Sequence, residues 1–182
     1  DVDEIAASTP SASTRVVVTN RDKVFWPKEG YTKGDLCDYY ATIAPAMLPF
    51  LADRPVVLVR YPDGIEGKNF FQWRVPAGTP SWLPTLQLRD EEDAEERGKK
   101  NVFLLNSVDA LVHIANLGAT PIHVLASRAS DLACGDFFTL DLDLGENPFR
   151  LAATLALTLR TLLEDVGFVG YPKTSGQKGL HV

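Results

Sequence analysis

The spacing of apolar and polar residues divides the chain into alternating helical and extended segments. Leu36, Tyr40, Ile43 and Met47 recur at the intervals of one helical face. Thr32, followed three residues later by Asp35, has the form of a capping box opening that helix. Pro45 lacks an amide donor and crowds the preceding turn, so a kink or a split is expected there. A second helix runs from a Ser107 cap through Leu117, with Gly118 as its stop signal. A third carries Leu151, Leu155, Leu159, Leu162 and Val166 on one face and ends at Gly167. Strands are predicted at Val16–Val18, Pro55–Tyr61, Lys68–Arg74, Asn101–Leu105 and Pro121–Ala126, with a proline-rich loop over Val75–Pro84. The stretch Phe137–Gly145, FFTLDLDLG, predicts a buried central strand. Asp1–Thr14 is rich in Ser, Thr and Ala without periodicity, which predicts a flexible tail before a domain spanning 15–182. No internal repeat appears. The pattern is that of an α/β or α+β domain with one continuous core.

Composition narrows this only a little. The chain has 182 residues, long enough to bury a sizeable core, and a net charge of -6 that does not by itself point to nucleic acid. The distribution of charge says more. Arg15, Arg21, Lys23, Lys28 and Lys33 stand against only Asp22 and Glu29 in that segment, while Asp90–Glu96 concentrates acidity in what reads as a solvated run. Cys37 and Cys134 are too few and too far apart for a metal spacing, so free thiols in a reducing cytoplasm are expected. No apolar run reaches the roughly 20 residues of a membrane span. The only methionine is Met47, and a new strand begins at His181-Val182, so the sequence reads as a fragment truncated at its C-terminus.

Two stretches carry chemistry. Asp141 and Asp143 lie two apart, and side chains two apart on a strand share a face. Paired carboxylates repel unless a cation or proton sits between them, although a bare DxD is also compatible with a strand running into solvent. Downstream, Ser175-Gly176-Gln177-Lys178-Gly179-Leu180-His181 combines glycines with a hydroxyl, an ammonium and an imidazole, all partners of phosphate. It lacks Walker spacing and by itself reads as a flexible turn with a surface lysine. Together the two suggest a site where a divalent metal meets a polyphosphate. His123 falls mid-strand and His113 on an apolar helix, where a structural role is the default. Phe70-Phe71 reads as one core and one partly exposed ring, or as a surface on which a base stacks. Lys23, Lys28 and Lys33 are either plain surface charge or, near a helix start, a site for a terminal phosphate.

The segments TNRDKVFWP, TKGDLCDYYATIAPAMLPFL, RYPDGIEGKNFFQW, DLDLG and YPKTSGQKGLH, in this order from Val16 to the last residue, resemble the polymerase domain of bacterial ligase D. That family belongs to the archaeo-eukaryotic primase superfamily and serves in non-homologous end joining. The resemblance implies an α+β fold, a primase-like catalytic core with central mixed or antiparallel sheets flanked by helices. It implies a template-dependent nucleotidyltransferase with a two-metal mechanism, Mn²⁺ or Mg²⁺ as cofactor and NTP or dNTP as substrate, with ribonucleotides preferred. Asp141 and Asp143 would be two of three metal-binding carboxylates. Ser175, Lys178 and His181, with His123 beside them, would bind the nucleotide. Asn20, Lys23 and Lys33 would hold a 5′-phosphate at a DNA end or gap, Phe70 and Phe71 would stack on the template, and Arg60 would lie near template or nucleotide. Implied partners are DNA ends or gapped duplex, with Ku and a ligase module, in the bacterial cytoplasm at the nucleoid and away from any membrane.

The sequence departs from that pattern in places. Val59 stands where the family often has a second basic residue, and Gln72-Trp73 where it has a charged or amide residue followed by a basic one. The third carboxylate would lie on a strand after His181. That motivates a second reading, a DNA-end-binding module without catalysis. A third takes DLDLG as the aspartyl nucleophile of a haloacid-dehalogenase-like phosphatase, against which stand its central position and the following Gly145-Glu146-Asn147.

Overall fold

In the computed structural model, which describes residues 15–89, 99–143, 145, 149–176 and 179–182, a short antiparallel pair precedes the first helix. Val24–Trp26 (β1) pairs with Tyr31–Thr32 (β2), and Lys33–Leu51 (α1) follows at once. The predicted capping box is present: the Thr32 hydroxyl accepts from the Asp35 amide at 3.2 Å, and the Asp35 carboxylate accepts from the Thr32 amide at 2.7 Å. Those bonds hold the Asp35 carboxyl below its ordinary range.

The chain divides into two compact units, Asp1–Asp136 and Phe137–Val182. In the first, Pro55–Arg60 (β3) is the hub of a five-stranded antiparallel sheet. It pairs with Phe70–Gln72 (β4), Lys99–Leu104 (β6) and Ala119–Val124 (β7), while Thr85–Arg89 (β5) extends the sheet from β6. Its run of valines and leucine is buried on both faces, as a central strand requires. Val56 and Leu58 face a core shared with Leu36, Tyr40 and Leu51 of α1, Phe103 of β6, and Leu111 and Ile114 of Val108–Asn116 (α2). Val57 and Val59 lie on the opposite face. The Tyr40 hydroxyl crosses that core to donate to the Thr120 carbonyl. Ser127–Arg128 (β8) and Asp131–Gly135 (β9) form a hairpin anchored by Arg54. The buried guanidinium donates to the Ala126 carbonyl at 2.7 Å and to both Asp136 carboxylate oxygens at 2.5 and 2.6 Å.

The second unit is lighter. A three-stranded antiparallel sheet runs Asp141–Leu142 (β10), Leu180–His181 (β12), Lys173–Thr174 (β11), with the helix Phe149–Asp165 (α3) in the same unit.

Four expectations change. Val16–Val18 is not a strand: its backbone is fastened by the Asn116 side chain, which donates to the Val17 carbonyl at 3.3 Å. The first helix is not split: it runs as one element through Pro45 and Pro49, with Tyr40, Ala44 and Leu51 buried on either side to offset the missing backbone bonds. The described residues of Phe137–Gly145 are not a buried central strand. Among them only Asp141 and Leu142 are in a strand, β10 is an edge of its described sheet, and Phe137 and Phe138 are exposed. In place of one continuous core there is a main cluster whose members all lie in the first unit. Residues 1–14 and the whole of the acidic run Asp90–Glu96 lie outside the described residues.

Candidate functional site

The second unit gathers the predicted acids and phosphate partners onto one small sheet. Register fixes the geometry. His181 is the cross-strand partner of Asp141 on one side and of Lys173 on the other, so the three side chains form a row on one face. His181 Nε2 lies 3.4 Å from Asp141 Oδ1. Asp143 follows directly after β10, and its carboxylate accepts from the Gly145 amide at 3.1 Å. The loop before β12 closes on itself: the Ser175 amide donates to the Gly179 carbonyl at 2.9 Å, and the Gly179 amide donates to Ser175 Oγ at 2.9 Å. Gly179 makes a tight approach there. A β-carbon at that position would sit 3.1 Å from the Leu142 carbonyl, 3.5 Å from Ser175 Oγ and 3.6 Å from Asp143 Cα. The absent side chain lets the loop lie against the DxD segment. The structure thus brings Asp141, Asp143, Ser175 and His181 together. Lys178 lies outside the described residues.

Lys173 was not singled out in the sequence. Only strand parity could have found it, and parity is readable once β11 and β12 are known to pair. Among the described residues no three His, Cys, Asp or Glu side chains form a metal-holding group.

The first unit holds the remaining candidates in two places. On the sheet, Phe71 (β4) and His123 (β7) flank β3 on the face of Val57 and Val59, with ring centroids 5.9 Å apart. Phe70 points to the other face, beneath the Arg60 guanidinium at 5.4 Å from its ring centroid. Both phenylalanines are exposed, so neither is the core residue that a default reading of the pair supplies. Arg60 is held by the Leu117 carbonyl and by Gln72 Oε1, both at 2.8 Å, and burial holds its pKa below the usual guanidinium value. Gln72 is therefore the buried partner that aims Arg60. Of the departures from the expected pattern, Val59 is buried in the sheet and Trp73 is exposed. His113 is half-buried edge-on to Trp82, which agrees with a structural role.

The second place is the turn leading into α1. Asn20 adopts φ 50°, a left-handed conformation that asparagine tolerates. Its carbonyl accepts from the Lys23 amide at 3.0 Å, and the Lys23 carbonyl accepts from the Lys33 amide at 2.8 Å. These bonds bring Asn20, Lys23 and Lys33 together. Lys33 is buried, with its ammonium donating to Thr19 Oγ1 at 3.2 Å. Burial pushes its pKa below the ordinary value; the nearby Cys37 opposes this, and the Lys23 and Arg60 charges add to it. Lys23 reaches the turn after β3, donating to the Pro62 carbonyl at 2.7 Å and to Asp63 Oδ1 at 2.8 Å. Asp63 was also missed, although it sits in the RYPDG segment, because its partner lies 40 residues away.

The family model described as the primase-polymerase domain of LigD matches residues 32–182. The multifunctional non-homologous end joining DNA repair protein LigD of Mycobacterium tuberculosis is 34% identical over 181 residues, an alignment covering 94% of this chain and 23% of that protein. The bifunctional non-homologous end joining protein LigD of Bacillus subtilis is 28% identical over 165 residues, covering 90% of this chain and 25% of that protein. The solved polymerase domain from Mycobacterium tuberculosis ligase D in complex with DNA superposes with a TM-score of 0.80 at 35% identity, over 92% of this chain and 60% of that one. The chain therefore spans about a quarter of the length of these full-length relatives.

Proposed function

The chain belongs to the LigD primase-polymerase family, and from that membership we propose that it serves a template-dependent nucleotidyltransferase that extends and fills DNA ends in non-homologous end joining. Such work falls in the bacterial cytoplasm, alongside Ku and a ligase module. The observation that carries this reading is the row of Asp141 and His181 with the Ser175–Gly179 loop closed against Asp143. Carboxylate, imidazole and hydroxyl are there set around one spot.

The donor set fits a hard divalent cation in part. Asp141 and Asp143 offer carboxylate oxygens, the class Mg²⁺ and Mn²⁺ take, and both stand at an exposed edge where water or phosphate oxygens complete a shell. When bound, such ions would stabilise charge on the attacking and leaving oxygens of phosphoryl transfer. The rest falls to the chain's own groups. Ser175, Lys178 and His181 bind the triphosphate and His123 supports the nucleotide, ribonucleotides being preferred over deoxyribonucleotides. Phe70 and Phe71 stack on the template, and Arg60 orients Phe70. Asn20, Lys23 and Lys33 receive the 5′-phosphate on the downstream side of the gap.

A second reading, DNA-end binding without catalysis, needs only the Asn20, Lys23 and Lys33 that the turn before α1 brings together. The family match sets the phosphatase alternative aside. The test is extension of a primer across a gapped duplex bearing a 5′-phosphate, with Mn²⁺ and NTPs, using a polypeptide that continues past Val182 to the length of the solved polymerase domain, and its Asp141→Ala variant. The expected result is extension that Asp141→Ala abolishes while 5′-phosphate-dependent binding persists. Extension that survives the substitution refutes the catalytic assignment. No extension by the parent chain, with phosphate-dependent binding intact, supports the binding module instead.

A further inference from the structure

The small sheet of the second unit carries its polar side chains in two rows. Pairing sets Asp141, His181 and Lys173 side by side in the first. Carried two residues toward the loop, the same register places Gly179 between Asp143 and Ser175. The contacts agree: the Ser175 amide donates to the Gly179 carbonyl and the Gly179 amide to Ser175 Oγ, both at 2.9 Å. A β-carbon on Gly179 would lie 3.5 Å from Ser175 Oγ and 3.6 Å from Asp143 Cα. Residues two apart on a strand share a face, so both rows lie on one face of the sheet. Leu142 and Leu180, paired in the row between, turn to the other face, where Leu180 is buried. The polar face is therefore graded across its strands. Carboxylates stand on β10, an imidazole and a missing side chain on the central β12, and an ammonium and a hydroxyl on β11. Lys173 is exposed at that far edge. Strands spaced about 4.8 Å apart put it roughly 10 Å across the sheet from Asp141.

We propose that Lys173 is a specificity-determining residue that holds the outermost phosphate of a nucleoside triphosphate and so separates a triphosphate from a diphosphate. The proposal rests on reading the Asp141–His181 face as the nucleotide site. In that reading the carboxylate edge belongs to the reacting phosphate, because that is where phosphoryl transfer needs its charge stabilised. The remaining phosphates then run away from β10, over His181 and the space that Gly179 leaves, toward β11. A triphosphate reaches Lys173, whereas a diphosphate, one unit shorter, ends over β12. A lysine ammonium is a compact charge on a flexible stem, suited to a phosphate whose orientation is fixed elsewhere. A terminal phosphate carries about -1.5 to -2 charge near pH 7. Each unit of that charge at about 4 Å in water is worth about fivefold, which gives the triphosphate about tenfold or more. One strand further off the separation nears a Debye length, and screening leaves the diphosphate about twofold.

The experiment is isothermal titration calorimetry with ATP and with ADP, each in Mn²⁺, on a polypeptide that continues past Val182 to the length of the solved polymerase domain. It compares the parent with Lys173→Met, Lys173→Gln and Lys173→Arg, and with His181→Ala as a probe of the site itself. Lys173→Met and Lys173→Gln should weaken ATP about tenfold and ADP about twofold or less, so the ratio of the two affinities falls about fivefold. Lys173→Arg, which keeps the charge, should restore most of the ratio. Equal losses for ATP and ADP, or no loss for either, in a protein where His181→Ala weakens both, overturn the role of Lys173 alone. A parent that binds neither nucleotide, or whose binding His181→Ala leaves unaltered, overturns the nucleotide-site reading and this proposal with it.

Discussion

Replacing Lys33 with methionine separates what this side chain does for the fold from what it does for a ligand. The residue is 6% exposed on the first turn of α1, and its ammonium has one hydrogen bond, to Thr19 Oγ1 at 3.2 Å. Lys23 and Arg60 both act on it as like charges. A buried cation with so little compensation costs the fold, and methionine, of similar length, fills the same space without it. Thr19 keeps a partner in Asn116 Oδ1, 3.3 Å from its hydroxyl. Lys33→Met should therefore stabilise the chain by about 1 kcal/mol at neutral pH, or about 2–4 °C in melting temperature at this length.

The pH dependence follows from the direction of the shift. Folding lowers the Lys33 pKa from its ordinary 10.5. Between the lowered value and 10.5 the unfolded chain holds a proton that the folded chain has released, so parent stability gains with rising pH in that window. Below the window the burial penalty is present in full. The advantage of Lys33→Met should thus be greatest near neutral pH and shrink toward pH 10.5. Chemical denaturation of both proteins at several pH values reads the difference directly, and anisotropy should show weaker binding of 5′-phosphorylated duplex. A variant less stable than the parent at neutral pH, or an advantage that grows with pH, would refute the reasoning.

Two further outcomes follow from packing. Phe71→Ala, which removes an exposed ring, should change stability by less than about 0.5 kcal/mol yet weaken binding of unpaired template by about 1–3 kcal/mol. Phe103→Ala, in the core, should instead cost about 3–5 kcal/mol by urea denaturation; similar losses from both would sink the assignment of Phe71 to the surface. Thr32→Ala removes the hydroxyl that caps α1 and should cost about 1 kcal/mol, seen as a melting temperature lower by about 2–4 °C. An unchanged melting temperature would mean the box contributes nothing.

What the sequence made legible is what local physics determines. The capping box, the α1 and α2 registers and the valine-rich β3 were readable because each is encoded within a dozen residues. β1–β2, β5 and the β8–β9 hairpin were not, being short or mixed in polarity and formed only through pairing. Phe137–Leu142 misled for the same reason. Its apolar run resembles a buried strand, yet burial depends on what packs against it, and the true hub is β3. Among the candidate residues, the resemblance supplied positions but not partners. That Gln72 aims Arg60, that Asp63 engages Lys23 and that Lys173 stands beside His181 are consequences of register and of turns, which no spacing in the chain records.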